Sequence, residues 1–99
     1  MDDSDTRLLR PRVTSERRGV SLSTLYEDSS NGLWTKPVKA SKHSSSWPEY
    51  EVEALIAARI AGQSEEKIQR LVRALEQQRT SLFVGYERLL SEPLEDQER

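Results

Sequence analysis

The strongest hydrophobic periodicity lies in the second half of the chain, where Val52, Leu55, Ile56 and Ile60 recur at helical spacing. Pro48 suits the first position of that helix, Glu49, Glu51 and Glu53 load its early turns with acid, and Gly62 ends it. Ser64 is the natural cap of a further helix. Its apolar stripe of Ile68, Leu71, Val72 and Leu75 continues less cleanly through Leu82, Phe83, Tyr86, Leu89 and Leu90. The first half is punctuated more closely. Pro11 opens a short helix that runs to Arg18 and stops at Gly19. Ser21 caps a second over residues 22–29, and Asn31-Gly32 breaks it. Two short helices about a glycine-containing turn are the grammar of a helix-turn-helix.

Between Leu33 and Trp47 the pattern changes. Thr35-Lys36-Pro37-Val38-Lys39 is extended in character and Ala40 to Ser46 is small and polar, which predicts a two-stranded hairpin with its tip near Ser41–Ser44. Pro37 belongs at a strand end or edge, and the serine run predicts a mobile wing. The expected fold is therefore mainly α: a winged helix-turn-helix with a small β-hairpin wing and an additional C-terminal helix. Residues 1–6 form an acidic, disordered N-terminus, 7–62 the helix-turn-helix domain, 63–91 the C-terminal helix and 92–99 a disordered acidic tail.

Charge sharpens this picture. The net charge of −2 conceals a basic stretch from Arg7 to Trp47, with eight Lys/Arg against three acids, followed by an acidic stretch with seven bases against eleven acids. Nucleic acid responds to the local field of one face, so a sequence pI near 5.5 does not exclude it. With no cysteine and His43 as the sole histidine, thiolate and multi-histidine metal sites are excluded. There is no glycine-rich phosphate loop, no cysteine and a single histidine, so no catalytic residue, metal or cofactor is expected and the protein is not an enzyme on this reading. Ala54 to Ala61, the longest apolar run, is broken by Arg59 and falls far short of the roughly 20 residues a membrane span needs. Asp2, Asp3 and Asp5 are the reverse of a secretory leader, so a cytoplasmic protein with no membrane partner is expected.

The segment Gly19-Val20-Ser21-Leu22-Ser23-Thr24-Leu25-Tyr26 carries the candidate chemistry. Ser21, Leu22, Ser23 and Thr24 stand at the end that a recognition helix offers to base edges. Hydroxyls there serve bases or phosphates, and a leucine can meet a thymine methyl. Arg12, Arg17, Arg18 and Tyr26 are candidates for phosphate contacts, and Lys36, Lys39, Lys42 and His43 for wing contacts to backbone or minor groove. Trp34 and Trp47 are expected in the core.

This segment, followed by Gly32-Leu33-Trp34-Thr35-Lys36-Pro37-Val38-Lys39, Trp47-Pro48-Glu49 and Glu51-Val52-Glu53-Ala54, resembles the AlpA family of phage and prophage regulators in order and spacing. Ala57-Ala58-Arg59-Ile60-Ala61-Gly62-Gln63-Ser64 is similar to a subgroup with an extra C-terminal helix. The resemblance covers about residues 8–80. It implies a winged helix-turn-helix on double-stranded DNA, acting as a transcriptional regulator, an excisionase or both, with an integrase or another phage or host protein as a further partner. Leu22 stands where the family usually carries Arg, and Glu27 where it often carries a basic residue. Ser41 and His43 replace wing Gly and Arg. A guanine-gripping arginine is worth roughly 1–3 kcal/mol of discrimination, so these departures predict an AT-richer site, weak binding per subunit, or a loss of DNA binding. The alternative is a protein-interaction adaptor. Leu82, Phe83, Tyr86 and Leu89, with Leu90, predict a homodimer through the last helix.

Overall fold

A computed structural model of the chain describes residues 7–91; the expectations for the two acidic ends lie outside the described residues. Element order is β1 (Leu8–Leu9), α1 (Pro11–Arg18), α2 (Leu22–Ser30), β2 (Val38–Ser41), β3 (Ser44–Pro48), α3 (Glu49–Ile60) and α4 (Glu65–Glu87), closed by a 3-10 turn over Arg88–Ser91. The fold is mainly helical, a helix-turn-helix followed by a hairpin and two further helices, as the punctuation predicts. No helix among the described residues is long and apolar enough to cross a membrane.

Local chemistry explains the boundaries. Gly19 ends α1 in the left-handed region (φ 81°), where its N–H and that of Val20 close on the carbonyls of the last turn. The side chains of Ser21 and Ser64 accept from the N–H groups of Thr24 and Lys67, capping α2 and α4. Helix α3 starts one residue later than predicted: Pro48 is its N-cap and the last residue of β3, and Ala61 is the C-cap before Gly62 (φ 73°).

The sheet differs from the predicted two-stranded hairpin. Its order is β1-β3-β2, all antiparallel, with Leu8 opposite Pro48, Leu9 opposite Trp47 and Val38 opposite Ser46. Two residues are too short to show a period-2 pattern, so β1 is invisible in the sequence. The serine run belongs to the sheet: Ser44–Ser46 lies within the central strand and Ser46 is buried. A small side chain lets that strand lie under the helices. Thr35-Lys36-Pro37 precedes β2 rather than joining it, and Pro37 stands just outside the strand start.

The core joins Leu9, Leu25, Trp34, Trp47, Val52, Leu55, Ile68, Val72 and Leu75, with Val20 and Leu71 against its edge. Both tryptophans are buried, as expected. Ile60 departs from its predicted role and is 81% exposed, because α3 has already passed the end of the core.

Candidate nucleic-acid interface

Helix α2 is positioned from both of its ends. Leu25 is fully buried. At the far end the Ser29 hydroxyl donates to the Thr35 carbonyl (3.1 Å), which also accepts from Trp47 Nε1 (2.7 Å). One buried carbonyl thus ties α2 to the loop and to β3, and so sets the wing relative to the helix. The Tyr26 ring packs at 5.6 Å from that of Trp47 and remains 42% exposed.

At the start of α2 the four candidates separate. The Ser21 hydroxyl accepts from the Thr24 N–H and donates to Thr24 Oγ1, both at 3.1 Å, so both hydroxyls serve the cap. Leu22 and Ser23 point outward from the first turn, both exposed. Tyr26 follows one turn later on the side of the sheet.

The candidate cations fall into two groups. Arg18 is only 8% exposed in its side chain. Its Nη2 donates to Asp28 Oδ2 at 2.6 Å, and its guanidinium lies 4.7 Å from the Trp34 ring centroid. This corrects the expectation of a phosphate contact, because the side chain is consumed as a strut between α1, α2 and the core. It also resolves the role of Asp28, whose charge is spent on Arg18 rather than facing a phosphate. Arg17 meets Glu49 at 2.9 Å and Glu53 at 3.5 Å, and Arg7 reaches Glu49 at 3.7 Å. Arg17 is therefore largely neutralised by α3. Arg12, Lys36, Lys39, Lys42 and His43 are exposed. At the wing tip Lys39 Nζ donates to the Lys42 carbonyl (3.3 Å) and the Ser41 and Ser44 hydroxyls share a 2.8 Å hydrogen bond, which holds the two-residue turn together.

The sequence treats Glu51 as a surface carboxylate serving the helix dipole, yet it is fully buried. Arg79 of α4 donates to both its oxygens at 2.7 Å and, through Nη2, to the Lys36 carbonyl at 2.7 Å. The hydrogen bonds to Glu51 push the Arg79 pKa further up, against the opposing pull of burial. The Lys36 N–H meanwhile donates to Glu76 Oε2 at 2.8 Å. Both backbone groups of Lys36 are thus held by α4, at the point where the chain enters the wing. Spacing places each residue on the core-facing side of its own helix, Glu51 four before buried Leu55 and Arg79 four after buried Leu75, but does not pair them.

A cleft of about 310 Å³ lies between the end of α2 and α4, bordered by Trp34, Lys36, Gln69, Arg73 and Glu76. It sits at the low end of ligand-pocket volumes, and Glu76 is already engaged with Lys36. The candidate interface therefore lies elsewhere, at the first turn of α2, Tyr26 and the wing. Comparison with protein-family models, curated proteins and solved structures finds no match to this chain.

Proposed function

We propose that this chain is a non-enzymatic, sequence-specific DNA-binding regulator acting in the cytoplasm, of the AlpA kind that its sequence resembles. On this reading α2 enters the major groove by its first turn, with Leu22 and Ser23 toward bases and Tyr26 toward a phosphate. The wing rests on the adjacent backbone or minor groove through Lys39, Lys42 and His43. The observation that carries it is the arrangement of α2: an outward first turn with unengaged side chains, on a helix locked to a lysine-bearing hairpin through the Thr35 carbonyl. Arg12 and Lys36 extend the basic surface, whereas Arg18 belongs to the scaffold and Arg17 contributes little.

Without an arginine in that turn, recognition rests on apolar contact and hydroxyls. An AT-rich site with a thymine methyl against Leu22 is expected. Transcriptional regulation and excision use the same surface, and an integrase is the partner expected for the second.

Fluorescence anisotropy on duplexes from the DNA flanking its own gene, at two salt concentrations, tests this proposal. If the four cations Arg12, Lys36, Lys39 and Lys42 neutralise phosphates, log K falls with log salt at a slope of about −3.6. Affinity then drops on the order of a hundred-fold between about 50 and 200 mM. A salt-independent or absent interaction at low salt favours instead the adaptor reading, for which the exposed apolar end of α4 speaks.

A further inference from the structure

Seen on the folded molecule, α4 carries one seam of alternating three- and four-residue steps: Ile68, Val72, Leu75, Arg79, Leu82, Tyr86 and, in the 3-10 turn, Leu89. This is heptad spacing, with Ile68, Leu75, Leu82 and Leu89 recurring every seven residues and Val72, Arg79 and Tyr86 between them. Its first four members face their own body: Ile68, Val72 and Leu75 are buried and Arg79 reaches Glu51. The remaining three continue the same face past the end of that body. Leu82, Tyr86 and Leu89, flanked by Phe83 and Leu90, are 48–74% exposed. Nothing else in the described chain covers them.

We infer that this distal seam pairs with its counterpart on a second copy of the chain, antiparallel about a two-fold axis near Tyr86. Three observations select that occupant. The five side chains present on the order of 500–600 Å² per copy, so two copies together clear the roughly 1,000 Å² expected of a specific interface. From Thr80 to Ser91 the only charges are Glu87 and Arg88, which cancel. Two such segments meet without repulsion, whereas DNA or an anionic membrane surface would demand a basic face. Direction follows from occlusion. The proximal seam is already filled by its own α3 and core, so a parallel pair would drive two bodies into the same space. An antiparallel pair places each body on the far side of the other's distal seam. The pairing concerns a surface remote from α2 and the wing and stands whether or not the protein binds DNA.

Sedimentation equilibrium of the full chain from micromolar to several hundred micromolar, alongside single-cysteine cross-linking, tests the pairing. The natural chain has no cysteine to interfere. The expected result is a monomer–dimer equilibrium whose dissociation constant rises roughly 30-fold or more in Leu82→Glu, with the circular-dichroism melting curve of the monomer unchanged. Tyr86→Cys should oxidise to a disulfide-linked dimer while Leu82→Cys does not, because antiparallel pairing holds the two Leu82 positions about 12 Å apart along the axis. A monomer throughout the concentration range would overturn the inference, as would a dimer indifferent to Leu82→Glu. Efficient self-cross-linking of Leu82→Cys would overturn the antiparallel direction.

Discussion

Arg18 and the wing lysines belong to one basic stretch in sequence and Arg79 to the acidic stretch that follows, but the fold sets the two arginines to one task and the lysines to another. Around Trp34 and Glu51, Arg18 and Arg79 are drawn inward, one stacked on an indole and paired with Asp28, the other gripping a fully buried carboxylate with both oxygens engaged. On the hairpin, Lys39 and Lys42 remain in solvent, and the Lys39 ammonium donates only to the Lys42 carbonyl within the turn. The division follows side-chain chemistry. A planar guanidinium can stack and make parallel hydrogen bonds while partly desolvated, whereas a strongly hydrated ammonium is better left in water. Counting charges along a chain therefore overstates the field of its surface, because part of the positive charge is structural.

That contrast can be broken from either side. The largest effect is expected at the joint. Arg79→Ala leaves Glu51 buried without a counter-ion and releases the Lys36 carbonyl, and should cost about 3–5 kcal/mol in urea unfolding. Arg18→Ala removes a charge-assisted hydrogen bond and the cation–π contact, for about 2 kcal/mol. If it lowers DNA affinity in the fully folded protein as much as a wing lysine does, Arg18 is not confined to the scaffold. Next comes Ser64→Ala, which deletes the cap of α4 at about 1 kcal/mol, read from the shift in denaturation midpoint. On the wing, Lys42→Ala should change stability by less than about 0.5 kcal/mol yet flatten the log–log salt slope of DNA binding by about 1.

A pH titration probes the same joint more gently. Burial, reinforced by the neighbouring Glu51 charge and opposed by Arg79, raises the Tyr50 pKa above its usual 10.0, and its hydroxyl is enclosed without a hydrogen-bond partner. The folded state thus holds this proton more tightly than the unfolded state does. Its contribution is constant below about pH 10 and is lost as the pH rises through the folded-state pKa. Tyr50→Phe should flatten this alkaline decline, and near pH 7 it should be neutral or slightly stabilising.

The helices were legible because their signals are local. Pro11, Gly19, Ser21, Asn31-Gly32 and Ser64 act on their own few residues, and each stands within a residue or two of a boundary. Strand β1 was not legible. Leu8 and Leu9 form a strand only because Trp47 and Pro48 arrive beside them, some forty positions later. The candidate interface was legible by segment rather than by side chain. Residues 21–26 and the hairpin emerge together, but nothing in Arg17-Arg18 announces that Glu49, Glu53 and Asp28 will claim those charges. The apolar end of α4 was evident from composition, while the frame of its seam required knowing which residues the core had already taken.

By itself, then, the amino-acid order determined where helices start and stop, which aromatic residues go inside, and that a hairpin follows the second helix, because capping, backbone conformation and hydrophobic period act over a few residues. Only the tertiary structure decided which charges reach solvent and which face of α4 remains uncovered. Those outcomes depend on pairs such as Glu51 with Arg79, twenty-eight residues apart, whose meeting no local rule encodes.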